Sequence, residues 1–300
     1  MRAGSRCGGY LDRYHGEERT AFILLSPVLI YLLLVMVFPI CWAVYLSMTT
    51  VQKGETDYVG LSNYLKILQD PSFYNSLLRT MQYTFYCVAG KVIIGVIWAV
   101  ILNQPFRMKS LYRALLILPW SIPTVIAILT WRWMYSDAGG VLSYLVQLTG
   151  LTSKRIFWLS SPNMAMLSVV MANIWRGVPF VGISVLSGLQ TLPASLDEAA
   201  MIDGANTVQR FFYVTLPQIS GVIVLAGLVT CIWTINDFEL VYLLTGGGPA
   251  KSTEILSVYS YNVGFKSLNV SKAIASTVLT MPLMMALVEL ATRRALKTKE

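Results

Sequence analysis

Long hydrophobic runs alternate with short polar segments along almost the whole chain. Each run reaches the roughly 20 residues that a helix needs to cross a hydrocarbon core of about 30 Å. Because lipid cannot satisfy backbone amide and carbonyl groups, runs of this length cross a bilayer as helices. The pattern predicts an all-α integral membrane protein with six transmembrane helices and both termini on one side. The six runs lie at about residues 20–48, 80–102, 111–135, 165–189, 216–244 and 273–292.

Composition supports this interpretation. Of the 300 residues, 55% are hydrophobic and 13% are charged, whereas an ordinary soluble domain has about 25% charged residues. The predicted organisation is a tail over 1–19, a transmembrane domain over 20–292 and a second tail over 293–300, with no soluble domain between the runs. The first run is about twice as long as the apolar core of a signal peptide, so we expect it to be retained.

The basic residues predict an orientation in the membrane. The formal net charge is +8. If both tails lie inside, the inner segments carry about twelve Lys and Arg residues in roughly 65 positions, and the outer segments carry about eight in roughly 95. Cytoplasmic segments of membrane proteins are enriched in basic residues. We therefore expect both termini and the loop over 190–215 to be cytoplasmic, and we expect no nucleic-acid partner.

Residues for metal or nucleophilic chemistry are scarce. The chain has one histidine, His15, and its four cysteines show no spacing for a metal site or a disulfide. The sequence also has no G-x-x-x-x-G-K-S/T phosphate loop, whose backbone amides would bind a nucleotide. We expect no metal site and no cofactor in this chain, and no enzymatic activity of its own.

One charged segment, EAAMIDGANTVQRFFYVTLPQI (198–219), separates two of the hydrophobic runs. Ser195 and Glu198 have the spacing of a capping box, in which each side chain satisfies a free backbone amide of the other residue. Gly204 is expected to end this first helix, because glycine adopts a positive φ without strain.

A second short helix is predicted directly after Gly204. Asn206 or Thr207 is expected to cap it, and Leu216-Pro217 is expected to stop it and to start the fifth transmembrane helix. From the residues alone, this helix pair is either a connecting loop or a docking element for a cytoplasmic partner.

The same segment closely resembles the EAA motif of permeases from binding-protein-dependent ABC importers: E-A-A, three residues, Gly, and about nine residues later I/V-x-L-P. The resemblance implies the type I ABC importer permease fold in the inner membrane of a bacterial cell. It also implies that the loop over 193–217 sits in a groove of a cytoplasmic ATPase subunit, which uses ATP and Mg. The coupling residues it assigns are Glu198, Ala199, Ala200, Met201, Asp203, Gly204, Leu216 and Pro217.

The resemblance extends over roughly residues 20–292. The segments VGLSNY, DPSF, LPWSIP, WRWMY, LSGLQTLP and NDFELVYLLTGGGPAKST are similar to sugar permeases, and the last is similar to the maltose-type first permease subunit. The family implies a heterodimer with a second permease, two copies of a cytoplasmic ABC ATPase, and an extracytoplasmic solute-binding protein. The expected substrate is a sugar or oligosaccharide.

Polar residues inside the predicted helices indicate a substrate path, because such residues are costly in lipid and face a cavity or a partner. Arg176 lies roughly 17 Å into the fourth run at 1.5 Å per residue, near mid-depth. Aromatic rings beside polar groups suit the apolar faces and hydroxyl groups of sugars. The resemblance assigns this role to Gly177, Phe180, Asn236 and Asp237, and the residue pattern adds Arg176 and Trp233.

Several alternatives stay open at this point. Arg176 and Asp237 could form a buried structural pair or anchor the second permease, and Lys91 in the second run has no assigned role. Glycerol-phosphate importers share the pattern, and Arg176 would suit a phosphate. A stand-alone ion-coupled carrier would use the three charged residues as a proton relay, but such carriers usually show repeated halves. A membrane scaffold without transport would leave the mid-span polar residues unexplained.

Overall fold

Helices account for most of the chain that the structure describes. The computed structural model describes residues 8–52, 55–105, 107–150, 152 and 154–297. The outermost parts of the two predicted tails lie outside these ranges. The α-helices are α1 (Gly8–Leu32), α2 (Phe38–Ser47), α3 (Ser62–Leu68), α4 (Pro71–Asn103), α5 (Lys109–Ser121), α6 (Thr124–Met134), α7 (Val141–Leu148), α8 (Pro162–Gln190), α9 (Ala194–Ile202), α10 (Thr207–Arg210), α11 (Leu216–Ile235), α12 (Glu239–Thr245), α13 (Leu256–Tyr261) and α14 (Val270–Lys297).

Short elements of other types join some of these helices. A two-stranded antiparallel hairpin follows α2, with Thr49 opposite Tyr58. Its strands are β1 (Thr49–Gln52) and β2 (Glu55–Tyr58), and π-helical segments occupy Leu33–Val37, Phe211–Thr215 and Asn262–Lys266.

Four helical segments in the described ranges are long and apolar enough to cross a membrane: Thr20–Ser47, Pro71–Asn103, Pro162–Gln190 and Thr207–Ile235. The pair α5 and α6 provides a fifth if the bent pair counts as one span. The sixth predicted run lies in α14, whose apolar part, Val270–Ala286, is shorter than the others. The structure therefore supports four or five of the six predicted crossings.

The third run is two helices instead of the one kinked helix that the sequence predicted. The axes of α5 and α6 meet at 95°. Ile122 between them is extended, with φ −78° and ψ 131°, because a residue that precedes a proline is disfavoured in the helical region. Pro119, by contrast, lies inside α5.

The fifth run begins earlier and ends earlier than predicted. A continuous helical segment runs from Thr207 to Ile235, so the prediction that Leu216-Pro217 ends a helix is wrong. Pro217 has no backbone N–H to donate, and it directly follows a π-helical turn, Phe211–Thr215, at which the regular α-helical hydrogen bonding is already interrupted. Just before it, the amide of Leu216 donates to the carbonyl of Phe211 in the π segment.

The centre of the molecule is the packing of α4, α8 and α11. Buried apolar side chains of these helices form a continuous core that includes Ala99, Val181, Val185 and Ile219. A Cβ placed on Gly95 of α4 would lie 2.7 Å from Cγ1 of Val181. The absence of a side chain there lets α4 and α8 approach closely, as small residues do between membrane helices.

Candidate functional site

The loop over 193–217 forms two short helices, as predicted, but the first is capped differently. Helix α9 begins after Pro193, which makes no side-chain capping bond, so the predicted Ser195–Glu198 capping box is wrong. Ser195 is already the second residue of the helix, since the extended Pro193 caps it two residues earlier than predicted. The capping box occurs at α10, where the side chains of Asn206 and Gln209 each accept the other's backbone amide at 2.9 Å.

Gly204 ends α9, as predicted. Its φ is +80°, a conformation that glycine adopts without steric cost. The amide of Gly204 donates to the carbonyl of Met201 at 3.0 Å. The two helices are also held together by an ion pair between Asp197 and Arg210, with Oδ2 and Nη1 2.9 Å apart. The loop is thus a defined helical pair.

The surface of this loop is exposed and partly apolar. Ile202 is 86% exposed and Tyr213 is 80% exposed. Met201 and Phe212 are also exposed, whereas Ala200 is half-buried. Clustered apolar exposure of this kind indicates a surface that contacts a partner. Of the eight predicted coupling residues, Glu198, Ala199, Ala200, Met201, Asp203 and Gly204 lie on α9 and its end, and Leu216 and Pro217 lie at the start of α11.

A polar cavity of about 290 Å³ lies halfway along α8, and we call it the central cavity. Five of the six predicted path residues line it, and Asn236 does not. The side chain of Asn236 is exposed, and its amide donates to the carbonyl of Ile232 at 2.9 Å. The lining residues are Lys91, Trp120, Asn173, Arg176, Gly177, Phe180, Thr230, Trp233, Thr234 and Asp237.

Asp237 is held by neutral donors. Its Oδ2 accepts from the Tyr83 hydroxyl and from Nδ2 of Asn173, both at 2.7 Å. Arg176 donates instead to the Thr124 hydroxyl on α6. Among the described side chains no ion pair joins Arg176 to Asp237, so the structural pair considered above does not form.

Lys91 is the cavity residue that sequence reasoning left without a role. Its side chain is 4% exposed, and its Nζ donates to Oγ1 of Thr234 at 2.9 Å. A Cβ on Gly177 would overlap Cε of Lys91, so Gly177 makes room for the lysine to cross α8. The rule for charges inside membrane helices applies equally to Lys91, and it could have placed this residue in the site.

Aromatic rings form one wall of the central cavity. The ring centroids of Phe180 and Trp233 lie 4.7 Å apart, and those of Phe180 and Trp120 lie 6.2 Å apart. Such rings provide flat apolar surface, while Asn173, Thr230 and the charged residues provide hydrogen-bonding groups. A concave surface that combines apolar rings with hydrogen-bonding groups is typical of small-molecule sites, and this one is rich in polar groups.

Long apolar helices around a polar cavity, with an exposed loop surface at the end of one helix, define a membrane transport subunit. Residues 91–296 match the family described as binding-protein-dependent transport system inner membrane component. The chain belongs to this family, and it is a multi-pass protein of the bacterial inner membrane.

Its sequence relatives include permeases of sugar transport systems. The trehalose/maltose transport system permease protein MalF of Thermococcus litoralis is 32% identical over 248 residues, or 82% of this chain and 83% of the relative. The sulfoquinovosyl glycerol transport system permease protein SmoG of Agrobacterium fabrum is 32% identical over 290 residues, or 95% and 92%. The chain is a sugar-type ABC transporter permease, as the resemblance indicated.

The fold is shared with a solved transporter. A chain of a bacterial ABC transporter involved in the import of the acidic polysaccharide alginate superposes with a TM-score of 0.81 at 20% identity. The match covers 97% of this chain and 100% of that chain. This likeness confirms an ABC transporter permease fold.

Proposed function

We propose that this chain and a second permease form the translocation path of an ATP-driven importer for a sugar or oligosaccharide. An extracytoplasmic binding protein delivers the substrate, and two cytoplasmic ATPase subunits supply the energy. The observation that carries the proposal is the exposed apolar EAA loop at one end of the helix whose other end lines the central cavity.

Helical continuity supports the coupling mechanism. The segment Thr207–Ile235 is 29 residues long, which is about 43 Å at 1.5 Å per residue. Its first residues belong to the loop, and Trp233 near its other end lines the central cavity. The Asp197–Arg210 ion pair joins α9 to this helix. Movement of the loop by an ATPase subunit therefore displaces a wall of the cavity. In this arrangement both ends of the chain lie on the cytoplasmic side of the membrane, as the loop does.

A sugar ring fits the central cavity better than a phosphorylated polyol. The two relatives described above are named for trehalose/maltose and sulfoquinovosyl glycerol transport. The rings of Phe180 and Trp233 offer apolar faces that a sugar ring covers and that a three-carbon glycerol phosphate leaves exposed.

Reconstituted vesicles test this function. The chain, its second permease and its ATPase subunits are inserted into proteoliposomes with the cognate binding protein outside, and sugar uptake is measured. We expect uptake to require ATP inside the vesicles and to be unaffected when the proton gradient is collapsed. Uptake that follows the proton gradient without ATP would instead identify an ion-coupled carrier.

A pair of variants links uptake to the cavity. Asp237→Ala removes a carboxylate that lines the central cavity, whereas Asn236→Ala alters a neighbouring side chain that lies outside it. We expect Asp237→Ala to reduce uptake about tenfold or more, since one hydrogen bond to a charged group contributes roughly 1.5–3 kcal/mol. Asn236→Ala should retain uptake; equal losses in two correctly assembled variants would remove the cavity from the path.

A further inference from the structure

We propose that the central cavity selects an anionic sugar, one that carries a carboxylate or a sulfonate, and that Lys91 and Arg176 bind the acidic group. This inference rests on the proposed function and narrows the class of sugar that the permease moves.

The first argument is the position of Lys91. The residue lies well inside the spanning helix α4 and is 4% exposed. Its Nζ donates to the Thr234 hydroxyl, which in turn donates to the carbonyl of Thr230 at 2.6 Å. All of these partners are neutral. The carboxylate of Asp237 attracts this ammonium group electrostatically but forms no ion pair with it. Burial of the ammonium group is costly, and an anion bound beside it would further offset that cost.

The second argument is the charge balance of the cavity. Three charged residues line it: Lys91, Arg176 and Asp237. The hydrogen bonds that hold the Asp237 carboxylate come from uncharged groups of the protein. Within the described part of the chain, no carboxylate lies within 4.0 Å of either cation. The cavity therefore presents two cations that no carboxylate of the described chain pairs.

The third argument is the chemistry of Arg176. A guanidinium stays protonated in proteins, and its planar donors match the geometry of an oxyanion. Its Nη2 donates to the hydroxyl of Thr124. A guanidinium has five N–H donors in all, and no other bond of Arg176 is present among the described residues. The remaining donors are available to a substrate at the cavity wall.

The fourth argument is shape. The volume of about 290 Å³ is at the lower end for small-molecule sites. It suits one sugar ring with its acidic group. The centroids of the Phe180 and Trp233 rings are 4.7 Å apart, and these rings form the wall on which the sugar ring would lie. Lys91 and Arg176 line the same cavity.

Matched sugars test this inference on the full assembly of the chain with its second permease and ATPase subunits. The probes are glucuronate and sulfoquinovose, each compared with glucose, and glycerol 3-phosphate as a non-sugar anion. Binding is followed by tryptophan fluorescence, since Trp120 and Trp233 line the cavity. We expect at least one sugar acid to bind about tenfold or more tightly than glucose.

Variants then assign the preference to the cations. Lys91→Met and Arg176→Gln should each reduce the affinity for the sugar acid about tenfold and reduce the affinity for glucose by less, so that the preference for the acid shrinks. Lys66→Met, at an exposed lysine of α3, is the matched control and should change neither. Size-exclusion chromatography verifies assembly, and Arg176→Gln decides the question if Lys91→Met does not assemble.

Several results would overturn the inference. They are equal binding of glucose and both sugar acids, tighter binding of glycerol 3-phosphate than of either acid, and an acid preference that survives both substitutions. The last result would show that neither cation binds the acidic group. ATP-driven uptake of a neutral sugar without acid preference would leave the proposed function intact, whereas ATP-driven uptake of neither neutral nor acidic sugars would contradict both.

Discussion

At the residue scale, Gly177 and Lys91 depend on each other. The resemblance assigned Gly177 to the substrate path, and the glycine does line the central cavity. A residue without a side chain is also needed there for packing, because a Cβ at position 177 would overlap the side chain of Lys91. A protein interior that is packed this closely responds to one added methyl group.

We therefore expect Gly177→Ala to displace Lys91 from Thr234 and to reduce uptake. Because the overlapping atoms belong to the flexible end of the lysine, the main cost is the lost Lys91–Thr234 hydrogen bond, about 1.5–3 kcal/mol of unfolding free energy, measurable by thermal unfolding in detergent. Gly227→Ala on α11 is the control, since its Cβ would meet its nearest neighbour at 3.6 Å, an ordinary contact. Equal stability of the two variants would contradict the assigned packing.

Gly204 provides a second test at this scale. Its φ of +80° is inaccessible to proline, which fixes φ near −65°. Gly204→Pro should leave membrane insertion unchanged and abolish co-purification of the ATPase subunit. Gly204→Asn should preserve association, because asparagine tolerates positive φ and no atom lies within 4 Å of a Cβ at this position. Normal ATPase association in the proline variant would show that the turn geometry is unimportant.

At the scale of elements, the sequence predicted the uninterrupted transmembrane helices well and predicted the positions of helix breaks poorly. The fourth run, 165–189, lies within α8 (Pro162–Gln190). An uninterrupted apolar stretch in lipid satisfies its backbone hydrogen bonds by forming a helix. The errors in the predicted helix ends lie at prolines. Pro123 starts a new helix after a sharp bend, whereas the helix continues through Pro217. Whether proline breaks a helix depends on the hydrogen bonding of the preceding turn, which residue identity alone does not specify.

The residues that line the central cavity were also predictable from the sequence only in part. Mid-span polarity and the family motif identified five cavity-lining residues. Asn236 differs because α11 ends at Ile235, and helical periodicity no longer determines which way the next side chain points. Tyr83 and Asn173, which hold Asp237, are distant in sequence. Only the crossing of three helices brings them together.

Asp70 joins three elements at the other end of α4 from the loop. It caps α4 through the amide of Ser72 at 2.9 Å. Its Oδ2 accepts from the Tyr259 hydroxyl at 2.9 Å and from Nζ of Lys272 at 3.0 Å. Burial alone would raise the pKa of Asp70, but the bonds from Lys272, Tyr259 and Ser72 together hold this pKa below its usual value. The carboxylate therefore stabilises the folded state while it is ionised.

Because the folded pKa is depressed, this stabilisation is complete above the unfolded pKa of about 3.9 and is lost as the pH falls through the folded value. Asp70→Asn should reduce the unfolding free energy at pH 7 by about 1–3 kcal/mol, which is measured as a lower thermal midpoint. Asparagine keeps the helix cap, so the loss reports the missing charge. The difference from the native chain should shrink below about pH 4. Asp57→Asn, at an exposed position of β2, is the control, and a constant difference at all pH values would contradict the assignment.

At the scale of the whole molecule, the chain has the properties of one part of a larger assembly. The most apolar stretch of the first crossing helix is not buried by the rest of the chain, and the loop has exposed apolar side chains. The continuous helical segment Thr207–Ile235 connects the loop to the central cavity. These features are the ones that the proposed function requires: a loop surface for an ATPase subunit at one end and a substrate cavity near the other.

The most direct test of this account is photo-cross-linking from Met201, which is exposed on α9. A photoreactive amino acid replaces Met201 in the full assembly in native membranes, and the cross-linked product is identified by mass spectrometry. The same label at Tyr144, exposed on α7 away from the loop, is the control. We expect an ATP-binding subunit to be captured from Met201 and not from Tyr144, with a yield that changes when ATP is added. Irradiation that never yields an ATP-binding protein from Met201 would contradict the coupling role of the loop.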